Sequence, residues 1–250
     1  MTDITIVTGA SRGIGAATAR LLGREKTRVV VNYRAAKDDA SAVVRDIRAS
    51  GGDAFAVQGD VGNEDDVLRL FAETDRVFGP LTGLVNNAGI TGGPKRRIDG
   101  VTFVGIMDVM RVNVAGPLLC AREAIRRMSA RNGGKGGAIV NVSSLGALTG
   151  SPHAFIDYAA SKGALDTITI GLAAETAGSD IRVNGVRPGL IDTDIHDDAG
   201  IPDRIKRFGP TMPIGRAGAA DEVAEAIVWL LSDKASYVTG SIIDVTGGAR

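Results

Sequence analysis

Short apolar runs alternate along the chain with longer stretches in which apolar residues recur every three or four positions. The runs are ITIVT (4–8), RVVVN (28–32), DAFAV (53–57), GLVNN (83–87), AIVNVS (138–143), IRVNGV (181–186) and SIIDV (241–245). Amphipathic segments lie between them, near 14–24, 37–50, 63–78, 101–130, 158–177 and 220–232. A strand with one solvated face alternates apolar and polar residues. These runs are nearly continuous, as expected of parallel strands covered on both faces. Right-handed crossovers then predict an α/β protein: a single-domain Rossmann fold, with a doubly wound, seven-stranded parallel sheet and helices on both faces, spanning residues 1–250. The segment 188–216 is rich in Gly, Pro and Asp and has no periodicity. It is too long for an ordinary connection and reads as a substrate lid. NGGKGG (132–137) reads as a plain turn, and no repeat or linker-like shift in composition occurs.

Composition refines this picture. Hydrophobic residues make up 44% of the 250 residues but aromatics only 4%, so the core must be built from Ala, Val, Ile and Leu. There are 34 glycines, about twice the usual share of roughly 7%. They cluster in TGASRGIG, NNAG and VTGG, which suggests tight turns and close backbone approach to a ligand. Acidic and basic residues balance at 29 each, so no basic field points to nucleic acid. The single cysteine, Cys120, excludes an intrachain disulfide and fits a reducing cytoplasm. The start MTDITIVTGA has no signal-peptide pattern, and no uninterrupted run of 18 apolar residues predicts a membrane span. No His, Cys or carboxylate cluster has metal-ligand spacing, so no metal is expected.

TGASRGIG (8–15) follows the first strand and opens the first helix. Its glycines, Gly9, Gly13 and Gly15, depart from the usual dinucleotide fingerprint in spacing, but the physics is shared. Small residues let the backbone approach a pyrophosphate, and the helix N-terminus offers free N–H groups. At the end of the second strand an NAD enzyme usually carries an acid for the ribose 2′-hydroxyl. Here that position reads Asn32, Tyr33, Arg34, and the next acid is Asp38. Arg34, with Arg12 from the Gly-rich turn, can instead grip a 2′-phosphate. That points to NADP(H), with NAD the weaker alternative. Asp60, after the third strand, is a polar contact for adenine.

Tyr158 and Lys162 in DYAASKGAL are one helical turn apart, on one face. A phenol titrates near 10, and an ammonium beside it favours the phenolate. Ser144 ends the fifth strand, 14 residues before Tyr158, close enough in sequence for a loop to bring the two together. NNAG after the fourth strand and RPGLIDT after the sixth reach the same sheet edge, where open α/β sheets bind ligands.

Taken together, TGASRGIG, Asp60-Val61, NNAG (86–89), Asn113, Ser143-Ser144, YAASK and RPGLIDT resemble the short-chain dehydrogenase/reductase family, across the whole chain. The resemblance implies that Tyr158 exchanges the proton with the substrate oxygen. Lys162 would lower its pKa and bind the nicotinamide ribose, and Ser144 would hydrogen-bond the substrate oxygen. Asn113 would hold a water that relays protons to Lys162. Gly9, Ser11, Arg12, Gly13, Ile14 and Gly15 would form the phosphate turn, with Asn32, Tyr33, Arg34, Asp60 and Val61 at the adenosine. Asn87, Ala88 and Gly89 would line the adenosine side. Pro188, Gly189, Ile191 and Thr193 would meet the nicotinamide and phosphate region. The family also implies a homotetramer, paired through the helices near 101–130 and 158–177. A second contact surface would lie at DVTGGAR.

The spacing from Ser144 to Tyr158 is one residue longer than in many members, so the substrate wall differs. Within the family the substrate is expected to be a sugar or small ketone. The alternative is a 3-oxoacyl-carrier-protein reductase. Ser179 stands where such reductases often carry Arg, which weighs against it. A non-catalytic NADP-binding sensor or scaffold is disfavoured because Asn113, Ser144, Tyr158 and Lys162 are all present. His153, in the loop before Tyr158, is a candidate substrate contact. His196 in the lid, the solvated charges Arg96 and Arg97, and Cys120 and Trp229 as core residues take their ordinary readings.

Overall fold

The computed structural model describes residues 4–250. Seven strands form one parallel sheet: β1 (Ile4–Val7), β2 (Arg28–Tyr33), β3 (Asp53–Gln58), β4 (Gly83–Asn86), β5 (Gly137–Val142), β6 (Ile181–Pro188) and β7 (Ile242–Val245). Their order is β3-β2-β1-β4-β5-β6-β7, and every neighbouring pair runs parallel. The six long helices are α1 (Gly13–Arg24), α2 (Lys37–Ala49), α3 (Glu64–Val77), α4 (Phe103–Met128), α5 (Ile156–Thr176) and α6 (Ala220–Leu231).

Successive strand residues point to opposite faces, and both faces are buried. Val7, Val29 and Val31 join the cluster under α1, α2 and α6, whereas Ile6 and Val30 join the one under α3, α4 and α5. This is why the strand runs are continuously apolar. The close packing uses small residues. A Cβ at Gly23 of α1 would sit 2.5 Å from Ile47 Cγ2 of α2. Cys120 is fully buried in the second cluster, as expected of a small hydrophobe. Trp229 is not in the core. It is 39% exposed, because α6 turns Ile227, Val228 and Leu231 inward and leaves Trp229 on the outer face.

The fourth helix differs from its expectation in two ways. It contains a π-helical turn, Arg111–Ala115, which holds the buried Asn113. Such turns often mark functional positions. By length and composition it could also cross a membrane, with a mean hydropathy of 1.4 over 18 residues, a third of them buried. Its inner residues Val112, Cys120, Ala124 and Met128 pack beneath the sheet. Phe103, Val104 and Met107 stand exposed on its outer side.

The segment 188–216 is not structureless. It contains a two-residue strand (Ile191–Asp192), which pairs with Gly218–Ala219, and two short helices, Ile195–Asp198 and Arg204–Phe208. It is tied down by Lys95 N–H donating to Ala199 C=O and by Ile214 N–H donating to Gly247 C=O.

Candidate active site

A cleft of about 1170 Å³ runs along the C-terminal edge of the sheet. It opens at β1 and β4, where the strand order reverses direction and the flanking loops separate. Thr8 joins these two strand ends. Its hydroxyl accepts from the N–H groups of Asn87 (3.0 Å) and Ala88 (3.1 Å), while Asn87 Nδ2 donates to the carbonyls of Thr8 and Gly9. Gly9 takes a φ of 61°, which favours glycine, and a Cβ there would strike Ala88 Cα at 2.9 Å. Gly15 does not line the cleft; a Cβ on it would strike Asn87 Nδ2 at 2.4 Å. The first helix has no side-chain cap and no acid in its first turn. Its open N–H groups and dipole therefore face the cleft, where Gly13 and Ile14 lie, and this geometry suits a pyrophosphate.

At the end of β2, Asn32 is buried and structural. It accepts from Gly9 N–H and donates to the carbonyls of Val57 and Gly59. Tyr33 is buried in the core and does not line the cleft. Arg34 is exposed on the cleft wall, and its guanidinium has no hydrogen-bond or ion-pair partner among the described residues. Arg12 behaves differently: its guanidinium pairs with Asp198 of the lid segment. Both arginines line the cleft, and of the two only Arg34 keeps its guanidinium without a partner among the described residues. Asp60 lines the cleft, with its carboxylate held by Gly62 N–H and by Arg111 at 3.0 Å. Ser11, Val61, Asn87, Ala88, Gly89, Pro188, Gly189, Ile191 and Thr193 also line it.

The reactive end gathers Ser144, Tyr158 and Lys162 on one wall. Ser143 and Ser144 both line the cleft, and the Ser143 hydroxyl is engaged, donating to Lys162 C=O at 3.2 Å. Ser144 Oγ also accepts from Gly146 N–H at 3.0 Å. Lys162 Nζ donates to Val142 C=O at 2.8 Å, and burial pulls its pKa down to about 8. Asn113 lies behind the wall rather than on it. Its amide exchanges two hydrogen bonds with the Ile90 backbone and donates to Ser161 Oγ. A Cβ on Gly89 would meet both Lys162 Nζ (3.3 Å) and Asn113 Oδ1 (3.4 Å), so the glycine keeps that corner open.

The Tyr158 phenol differs from expectation. Burial raises its pKa above the ordinary value, opposed by a hydrogen bond with Ser144 and by the nearby Arg204 guanidinium. Lys162 Nζ lies 5.6 Å from the ring centroid. Arg204, at the start of the short helix Arg204–Phe208, gave no sequence signal. It reaches the site only because the segment 188–216 folds against it. Arg96, expected to be a solvated charge, is not one. It forms a buried ion pair with Asp157, the residue next to Tyr158, and donates to the carbonyls of Thr91 and Pro94. His153 is exposed and lies outside the cleft wall, while His196 is buried against Ile191 C=O at 2.7 Å.

Known proteins resemble this chain along nearly its whole length. Residues 9–250 match the family described as Enoyl-(Acyl carrier protein) reductase. The chain is 51% identical over 245 residues to an oxidoreductase of Escherichia coli K12, YgfF, described as uncharacterized. That match covers 98% of this chain and 99% of the relative. It is 38% identical to the 3-oxoacyl-[acyl-carrier-protein] reductase FabG of Staphylococcus aureus Mu50, over 99% and 98% of the two chains. A solved short-chain type dehydrogenase/reductase from Mycobacterium marinum superposes with a TM-score of 0.90 at 30% identity, covering 98% and 94% of the two chains. The chain belongs to the short-chain dehydrogenase/reductase family, whose members are oxidoreductases that use a nicotinamide cofactor.

Proposed function

We propose that this protein interconverts a secondary alcohol and a carbonyl with NADP(H), using Tyr158 as the acid/base. The observation that carries the reading is the meeting of Ser144, Tyr158 and Lys162 on the wall of a cleft whose other end is a glycine-lined phosphate cradle. The Gly9–Gly15 turn and the α1 N-terminus hold the pyrophosphate. Arg34 takes the 2′-phosphate, and Asp60, Val61 and Asn87 to Gly89 flank the adenosine. Pro188, Gly189, Ile191 and Thr193 border the nicotinamide. The bound cofactor supplies hydride exchange at the nicotinamide ring.

The chain's own residues supply the rest. Ser144 and Tyr158 donate to the substrate oxygen and stabilise the charge that develops on it. In the reduction direction Tyr158 gives up its proton to that oxygen; in oxidation the phenolate takes it back. Burial pulls the Lys162 pKa down to about 8, which suits it to pass that proton onward. Asn113, through the π-turn, fixes the floor of this relay.

Small ketones or sugars fit the reading better than a carrier-bound acyl group, given Ser179 at the α5 end. The similarity to a 3-oxoacyl-carrier-protein reductase keeps that substrate in the test panel. The exposed Phe103, Val104, Met107 and Leu118 on α4 and Ile170 on α5 support a homotetramer, which sedimentation would measure. The site is tested by NADPH oxidation against ketones, sugars and acyl thioesters, with Tyr158→Phe as the probe. The variant is expected to lose on the order of 10²–10⁴-fold in turnover at unchanged cofactor affinity. Wild-type turnover by Tyr158→Phe would end the reading.

A further inference from the structure

We infer that Arg204 anchors a carboxylate on the substrate, so that the accepted alcohol or ketone is a hydroxy or oxo acid. The inference rests on the dehydrogenase reading of the site and names its substrate class.

Three observations carry it. The first is position. Arg204 lines the same cleft as Ser144 and Tyr158, on the lid wall rather than the sheet wall. A substrate whose oxygen meets the two hydroxyls therefore extends towards the guanidinium. The second is the absence of a partner. The other arginines around the cleft are largely engaged: Arg12 with Asp198, Arg96 with Asp157, and Arg111 with Asp60. Arg34 stands open at the adenosine end. Arg207, also on the cleft wall, is exposed and stacks on Phe208. The Arg204 guanidinium is only partly exposed, and among the described residues it makes no hydrogen bond or ion pair. The third is electrostatic. Burial lowers the Arg204 pKa, the Tyr158 hydroxyl opposes that shift, and no carboxylate is among the groups acting on it. Asp194 and Asp198 also line the cleft, and Asp198 is taken up by Arg12.

A desolvated cation without a counter-ion is costly unless a ligand supplies one. A guanidinium presents a flat fork of donors that matches one carboxylate, two bonds to two oxygens. A phosphate would call for several donors, and on this wall only one open guanidinium is buried enough to serve. Arg204 also favours the phenolate of Tyr158. A bound carboxylate would offset that influence, coupling substrate charge to the acidity of the proton donor.

The test separates this claim from the dehydrogenase reading. Benzoate, benzamide and phenyl phosphate are titrated calorimetrically into the protein, with and without saturating NADP⁺. Wild type is expected to bind benzoate at least tenfold more tightly than benzamide. Arg204→Gln should erase that preference, Arg204→Lys should keep part of it, and Arg207→Gln should keep most of it. NADPH oxidation is then followed with a homologous series of oxo acids and their methyl esters. The acid is expected to exceed its ester about ten- to a hundredfold in kcat/KM, mainly through KM, with the gap closed in Arg204→Gln.

Equal affinity for benzoate and benzamide, or a preference that survives Arg204→Gln, overturns the inference. So does loss of the preference in Arg207→Gln alone. With NADP⁺ saturating, so that the glycine turn and Arg34 are filled, tighter binding of phenyl phosphate than benzoate overturns the carboxylate assignment. If neither acids nor esters oxidise NADPH and the cofactor does not bind, the dehydrogenase reading fails instead. The benzoate titration on cofactor-free protein still decides the role of Arg204.

Discussion

The two ends of the cleft are built by different means. The phosphate end is mostly backbone: a glycine turn, the uncapped start of α1, and Thr8 and Asn87 tying two strand ends together. Its charged side chains, Arg12 and Arg34, stand in solvent. The reactive end is mostly side chain, drawn from β5, α4, α5 and the lid segment, and much of it is buried. The ion pairs repeat the contrast. Arg12–Asp198 is about half exposed on both sides, at 49% and 51%. Arg96–Asp157 is 16% and 4% exposed. Burial makes the same chemistry matter at one end and count for little at the other.

The sharpest way to break the comparison is to remove Arg96. Arg96→Leu leaves Asp157 buried without its cation, one residue before Tyr158. It should lower unfolding stability by about 3–5 kcal/mol in urea or guanidinium titrations. A loss of under about 1 kcal/mol would show that the pair is solvated like its counterpart.

Ser144→Ala should cost on the order of 10²–10³-fold in kcat, since one oxyanion donor is lost. It also has a pH signature. Burial raises the Tyr158 pKa and the Ser144 hydrogen bond lowers it. Without Ser144 burial is opposed less, so the pKa rises further. The alkaline rise of kcat/KM for alcohol oxidation, which needs the phenolate, should move to higher pH. A shift to lower pH would mean that Ser144 does not stabilise the phenolate.

At the phosphate end, Arg34→Ala should reduce the NADP-to-NAD affinity ratio about ten- to a hundredfold, measured by titrating both cofactors. An unchanged ratio would remove the NADP assignment. The smallest effect is expected for Asp198→Ala, which frees Arg12. As an exposed pair it should change stability by under about 1 kcal/mol in the same denaturation assay. A larger loss would mean that this contact, not the backbone, holds the lid segment on the glycine turn.

Most of the phosphate end was legible because its determinants are local. TGASRGIG, NNAG and the Asn32–Arg34 strand end announce their geometry within a few residues, and the structure differs chiefly in which arginine stays free. Tyr33 and Gly15 shape the packing around the cleft rather than its wall. At the reactive end, Ser144, Tyr158 and Lys162 could be read from their spacing. Arg96 and Arg204 could not. Each is an arginine in a polar stretch with no periodicity, and its importance depends on what folds against it. The π-turn at Asn113 likewise leaves no mark on the apolar pattern of its helix.

By itself, then, the sequence determined the parallel sheet, the two helical layers, the glycine-rich turn and the spacing of Tyr158 and Lys162 along one helix face. Those follow from period, residue size and spacing, which are local properties of the chain. Only the tertiary structure decided which charges lose their water. It paired Arg12 and Arg96 with carboxylates far along the chain, left Arg204 beside Tyr158 without one, and raised the Tyr158 pKa above its ordinary value. Desolvation depends on the whole surrounding shell, and that shell exists only once distant segments have met.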